Sequence, residues 1–249
     1  MIEIQKLSKR FNNNLVLNEL SLHVETGQTC VIIGRSGCGK SVLLKHIVGL
    51  LSPDSGKVLV QGKNVSDLKE LELVALRAKI SMVFQGGALF DSMDVGENVG
   101  FSLLEHTHLS QKEIFARTEE SLSLVGLGGI GNLMPSELSG GMRKRVALAR
   151  AICIKPEIIL YDEPTTGVDP ITADAINELI RSLHDKLQVT SLVVTHDMKS
   201  AYHIADKIAM MYNGRILLEG NSKQIQESDN PVVHQFINGI SRGPITEAL

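Results

Sequence analysis

The chain has no stretch approaching the eighteen or so uninterrupted apolar residues that a membrane-spanning helix needs, and runs such as Cys30 to Ile33 and Ile158 to Tyr161 are short. A bilayer-crossing segment is therefore not expected. Charge of one dominant sign is also missing: 25 Lys and Arg stand against 28 Asp and Glu, a net charge of -3, with 21% of residues charged. That balance argues against a nucleic-acid partner and against a charge-driven disordered tail. Cysteine is scarce. Cys30, Cys38 and Cys153 form an odd, unspaced set that suits neither a disulfide framework nor a metal knuckle, and a reducing cytoplasm is the natural compartment. The start, Met1 to Arg10, alternates apolar residues with Glu and Lys, so no secretory signal is expected there. What remains is 249 residues with 43% hydrophobic content, enough to bury one sizeable core without disulfides or metals.

Gln28 to Ile33, Ile80 to Phe84, Glu157 to Tyr161 and Thr190 to Thr195 are short apolar runs rich in Val and Ile, the pattern of strands buried on both faces in a parallel sheet. Helical patterns at Lys40 to Leu50, Asp169 to Leu187 and Asp197 to Ala205 alternate with them, which predicts an α/β fold. Ile2 to Leu7 and Leu20 to Val24 alternate apolar with polar residues and read as an antiparallel edge that Lys57 to Gln61 extends. From about residue 86 to 153 no strand-like run occurs. Helical patterns at Val95 to Leu104, Gln111 to Leu124 and Ser139 to Cys153 predict an inserted helical subdomain there, with the glycines 126, 128, 129 and 131 marking the loop before its last helix.

The chemistry concentrates in a few places. Gly34-Arg35-Ser36-Gly37-Cys38-Gly39-Lys40-Ser41 matches Gly-x4-Gly-Lys-Ser between an apolar strand and a helix. Its glycines let backbone N–H groups wrap phosphates, and the following helix N-terminus adds positive potential. Lys40 is placed to neutralise the β and γ oxygens and Ser41 to ligate Mg²⁺. The strand ending Tyr161-Asp162-Glu163 presents two carboxylates where such sheets bind ligands, Asp162 suited to hold the metal and Glu163 to orient or deprotonate the attacking water.

Leu138-Ser139-Gly140-Gly141-Met142 then gives the sequence its resemblance to the ATP-binding-cassette (ABC) ATPases. Ser139, Gly140 and Gly141 at a helix start form a second anion site, and the resemblance implies that it meets the γ-phosphate of ATP held by the loop of a second copy, so that two chains enclose two ATP. By the same resemblance Gln85 is the Q-loop glutamine that touches metal or water, Asp169 lies in the D-loop along the dimer seam, His196 is the switch histidine at the γ-phosphate, and Phe11 stacks on adenine. Val42 departs from the family pattern, in which a second hydroxyl usually follows Ser41, and Met142 replaces the usual Gln.

Gln85 to Val95, Glu105-His106-Thr107, Leu133 to Leu138 and the tail from Gln235 to Ile240 through Gly243-Pro244 resemble the ATPase subunits of the Mla type. That resemblance implies an ABC-type phosphate-loop fold with a mostly parallel core (residues 1–85 and 154–230), a helical signature subdomain (86–153) and a C-terminal extension (231–249) reaching across the dimer. It further implies phospholipid transport with a transmembrane permease, an MCE-domain lipid-binding protein and a small cytoplasmic STAS-type subunit, at the cytoplasmic face of the inner membrane. The motifs also suit the ATPase of a small-solute importer, or a soluble non-transport ABC protein, although the latter normally carries a coiled-coil insertion or a second cassette. His106 and His108 have no third partner in sequence and read as solvated, as does the helix face bearing Arg143, Lys144 and Arg145.

Overall fold

A computed structural model describes residues 1–247. The chain opens with β1 (Ile2–Phe11), β2 (Asn14–Val24), β3 (Thr29–Ile33), α1 (Lys40–Ile47), β4 (Ser55–Val60), β5 (Lys63–Asn64) and α2 (Glu70–Arg77). Next come β6 (Ile80–Val83), α3 (Val95–His106), α4 (Gln111–Leu124), α5 (Gly140–Cys153), β7 (Ile158–Asp162) and α6 (Pro170–Leu187). The remainder is β8 (Thr190–Thr195), α7 (Met198–Ile204), β9 (Lys207–Tyr212), β10 (Arg215–Gly220), α8 (Ser222–Gln226), α9 (Pro231–Ile237) and α10 (Pro244–Glu247). By packing, the chain divides into two units, Met1–Leu73 with Leu192–Leu249, and Val74–Ser191.

In the first unit one sheet has the order β2-β1-β4-β5 and is antiparallel throughout. Ile2, Ile4 and Leu7 of β1 and Leu17, Leu20, Leu22 and Val24 of β2 turn one face of it into core. The strand periodicity seen in the sequence stops at Leu7 because the pairing slips between Ile4 and Leu7, where Lys6 takes a φ of 45° opposite a β2 that bends at Glu19 (φ 47°). An extra residue on one strand moves every later side chain to the other face, so simple alternation cannot see past it. Beyond that bulge β1 continues to Phe11.

The other strands of this unit begin with β10 and β9, which are antiparallel; β9 runs parallel to β3, and β8 follows β3 in the sheet order. Every residue of β3 and β8 is buried, as the apolar runs predict. The β9–β10 hairpin was not foreseen, although Asn213-Gly214 between two apolar runs is the strongest short-range hairpin signal a sequence offers. Both turn residues have positive φ, 48° and 73°, and a Cβ on Gly214 would lie 2.6 Å from the Val16 carbonyl oxygen.

The second unit pairs β6 parallel to β7 and packs α3, α4 and α5 on one another, with no strand between β6 and β7. Its helices start where the sequence supplies caps. Asp94 with Glu97 and Ser110 with Glu113 form capping boxes for α3 and α4, and the Asp169 carboxylate accepts from the Ile171 and Thr172 N–H groups at the head of α6. The α/β class, parallel strands and antiparallel sheet agree with the sequence reading. The short helix α2, like β5 and α8, was not anticipated; only Leu76 of α2 is buried, too little periodicity to detect.

Replacing Gly214 with Val puts a β-branched side chain at a left-handed position against the Val16 carbonyl. A loss of about 2 kcal/mol or more is expected, visible in urea unfolding as a lower midpoint with an unchanged slope.

Candidate functional site

In the first unit, β3 delivers the chain into residues 34–39 and α1 takes it up. Each of α3 to α9 begins on a Ser, Asp or Asn whose side chain accepts a helix N–H. α1 instead begins at Gly39, with φ 106° and no side-chain cap. Its positive end is therefore not shielded by a side-chain oxygen, as an anion-binding helix requires. Lys40 is buried, and its Nζ donates to the carbonyls of Gly34 at 2.7 Å and Arg35 at 3.1 Å. The lysine is thus turned into the loop's own concavity. Ser41 and Val42 are half-buried on the first turn of α1, while Arg35, Ser36 and Gly37 are exposed.

Two further expected residues lie in this unit. Phe11 ends β1 with its ring 40% exposed, and Lys9 Nζ stands 5.7 Å from the ring centroid; an exposed aromatic face of this kind can stack on a base. His196 is exposed just beyond β8. It is held between two anchors, since Thr195 is buried and its hydroxyl accepts from the Asp197 N–H at 3.0 Å, while the Asp197 carboxylate caps α7 through Lys199 and Ser200.

Gln85, Ser139, Gly140, Gly141, Asp162, Glu163 and Asp169 lie in the second unit. Asp162 ends β7 half-buried, and Glu163 follows it with φ 51°. A left-handed non-glycine residue costs on the order of 1–3 kcal/mol and persists where its surroundings fix it. Here the Thr166 hydroxyl donates to the Glu163 carboxylate at 3.1 Å. Ser139 caps α5, its hydroxyl accepting from the Met142 N–H at 3.2 Å, and Ser139 and Gly140 are exposed. At Gly141 a Cβ would sit 2.7 Å from Thr172 Cγ2, so α5 approaches the first turn of α6 too closely for any side chain.

The sequence reading of Arg143-Lys144-Arg145 as a solvated face needs correction at its centre. Arg143 is exposed, but Lys144 is buried and its Nζ donates to the backbone carbonyl of Gln85. Burial pushes the Lys144 ammonium below its ordinary range, against the pull of the Glu163 carboxylate, which favours the charged form. One helical turn and a half further along, Arg150 donates to the carbonyls of Gly87 and Ala88, each at 2.7 Å. Two cations of α5 therefore hold the backbone that carries Gln85. A run of three basic residues gives no sign of which one turns inward.

A glycine-rich loop between a buried strand and an uncapped helix, with the lysine inside it, defines a phosphate-loop nucleoside triphosphatase. The chain belongs to the ABC transporter family, whose model matches residues 17–166, and within it is an ATPase. It is 41% identical to the intermembrane phospholipid transport system ATP-binding protein MlaF of Haemophilus influenzae, the match covering 98% of this chain and 93% of that one. A probable ribonucleotide transport ATP-binding protein, mkl, of Mycobacterium leprae is 40% identical over 98% of this chain and 70% of its own length. Among solved structures, the ATP-binding cassette MJ0796, a dimer in a post-hydrolysis state bound to ADP and Pi, superposes with a TM-score of 0.81 at 32% identity, covering 89% of this chain and 99% of that one.

Lys144→Met keeps the bulk and removes the donor to Gln85. ATP turnover is expected to fall about tenfold, the order of a lost charge-assisted hydrogen bond, with KM for ATP within about threefold of the original; steady-state kinetics separate the two. Thiol chemistry gives a second check. Cys30 and Cys153 are buried, and burial raises both thiols, Cys30 to about 12, whereas Cys38 is half-exposed in the phosphate loop. Maleimide should label Cys38 first and inactivate the enzyme, ATP should protect it, and Cys38→Ser should resist.

Proposed function

We propose that this chain is the ATPase subunit of a phospholipid transport system, working as a homodimer beneath a transmembrane permease. The observation that carries the reading is the end-to-end match with the H. influenzae phospholipid transport protein, which leaves almost none of either chain unaligned. No helix among the described residues is long and apolar enough to cross a membrane, so the lipid path belongs to partners: the permease, an MCE-domain protein and a small STAS-type subunit. The chain's place is then peripheral, on the cytoplasmic face of the inner membrane.

The site residues take the following parts in this reading. Loop residues Gly34 to Ser41 and Val42 wrap the phosphates through backbone N–H groups, and Lys40 exchanges its carbonyl partners for β and γ oxygens. Phe11 stacks on adenine. Ser41, Gln85 and Asp162 offer hydroxyl, amide and carboxylate oxygens, the hard donors that suit Mg²⁺ beside phosphate. Among the described residues no group of three or more His, Cys, Asp or Glu side chains is placed to hold a metal ion. When bound, Mg²⁺ would neutralise charge on the phosphates. Glu163 accepts a proton from the attacking water, and His196 donates to the γ-phosphate. Ser139, Gly140 and Gly141 of one copy meet the nucleotide of the other, with Asp169 along the seam.

Glu163→Gln keeps the shape and removes the base. Hydrolysis is expected to drop by about 10²-fold or more while ATP still binds, and the variant should accumulate as an ATP-bound dimer in size-exclusion chromatography. Turnover within a few-fold of the original removes Glu163 from this role. The cargo is tested by mass spectrometry of proteins and lipids that co-purify after mild detergent extraction of native membranes. A permease, an MCE-domain protein and phospholipid are expected; a nucleoside- or small-solute-binding partner instead would favour the reading that the M. leprae relative's name suggests.

A further inference from the structure

The segment after α9, which the family resemblance expects to reach across the dimer, takes no part in the chemistry above, and residues 240–246 are tied to the phosphate loop of their own chain. Gln235 on α9 is buried, and its carboxamide is wholly engaged with this segment. Its Oε1 accepts from the Ile245 N–H at 2.7 Å, and its Nε2 donates to the Ile240 carbonyl at 3.1 Å and to the Thr246 hydroxyl at 3.3 Å. Thr246 closes the turn, its hydroxyl accepting from the Gly243 N–H at 3.1 Å and donating to the Gly243 carbonyl at 3.0 Å. With Ile245 only 5% exposed, residues 240–246 form a compact strap. The Ile245 carbonyl in turn accepts from Arg35 Nη1 at 3.4 Å. Arg35 is the second residue of the phosphate loop, and its own carbonyl is one of the two that hold Lys40 Nζ. A single residue thus joins the strap to the lysine that meets the phosphates.

We infer that the strap positions the phosphate loop: Gln235 fixes the Ile245 carbonyl, which holds the Arg35 side chain and keeps the loop in the shape that receives nucleotide. The inference rests on the assignment of residues 34–41 as the phosphate site. Arg35, Ser36 and Gly37 are exposed and have few packing contacts of their own to define them. A loop held in its receiving shape binds with a smaller ordering cost, and one that wanders binds more weakly by the fraction of time it is competent. The side-chain hydrogen bonds of Gln235 go to the strap, so it is a positioning residue acting through Ile245 and Arg35.

The test titrates the full chain with a fluorescent ATP analogue and measures steady-state hydrolysis beside it. Gln235→Met preserves bulk and removes the carboxamide; it is expected to weaken nucleotide binding and raise KM together by about fivefold, the size of one net hydrogen bond, with kcat unchanged. Gln235→Glu retains an acceptor for the Ile245 N–H and should recover most of the affinity. In an Arg35→Ala background, Gln235→Met should cost nothing further, because both act along one path. A chain ending at Gly239 should show at least the loss of Gln235→Met. Wild-type affinity in Gln235→Met and in the shortened chain, or losses that add in the Arg35→Ala background, would reduce the strap to a fold element. Tighter binding would overturn the inference too, by making the strap an inhibitor. Lys40→Ala is the control for the underlying assignment: if that variant binds nucleotide normally, the phosphate site itself is wrong, whereas its failure to bind beside an unaffected Gln235→Met sinks the strap alone.

Discussion

A helix that begins without a side-chain cap must offer its positive end to something other than its own chain, and the first unit is organised around that end. β3, buried on both faces, fixes where the chain arrives. Gly39 starts α1 in a conformation that leaves no room in the sequence for a Ser or Asp cap. Lys40, one residue on, is drawn inward by the carbonyls of Gly34 and Arg35. Each of these features would be a defect in a helix that served only to pack. Taken together they suit an anion, which backbone N–H groups and one buried ammonium would hold.

In the second unit the corresponding organiser is α5. Its start carries the exposed Ser139 and Gly140, its first turn presses on α6 at Gly141, and its inward face supplies Lys144 and Arg150 to the carbonyls of residues 85, 87 and 88. The helix that bears the signature motif is thus the same helix that holds the backbone of the glutamine segment. A displacement of α5 moves both together. Glu163, left-handed and held by Thr166, stands within the electrostatic reach of Lys144, so this carboxylate and the backbone of residue 85 share one buried cation. Charge-assisted bonds to backbone carbonyls are stronger than neutral ones, and here they tie α5 to residues 85–88.

Much of this was legible in short windows of sequence. Gln28 to Ile33, Glu157 to Tyr161 and Thr190 to Thr195 read as strands because a strand buried on both faces is apolar through most of its length, whatever surrounds it. The caps at Asp94, Ser110, Asp169 and Asp197 were available for the same reason: a helix N-terminus is satisfied by the residue beside it. The β9–β10 hairpin was missed though its Asn-Gly turn was visible, and the full length of β1 was hidden by the bulge at Lys6, which breaks the period on which the reading depended. The apolar residues of the tail do not form one buried face. In the structure Val233 is buried, Phe236 and Ile237 are half-buried and Ile240 is 43% exposed, while the polar Gln235 on the same helix is buried.

By itself, then, the sequence determined the chemical groups and their local frames: the phosphate loop and its helix, the two carboxylates after β7, the Ser-Gly-Gly helix start and the histidine after β8. These are properties of a few adjacent residues and the hydrogen bonds they make with one another, so residue order is enough to specify them. Only the tertiary structure decided which of three neighbouring basic residues turns inward, that Arg150 reaches the carbonyls after Gln85, and that the tail returns to Arg35 from some two hundred residues away in the chain. Each of those contacts pairs a side chain with a backbone carbonyl. Every residue carries that acceptor, so the sequence cannot mark which one will be chosen until the fold brings it within reach.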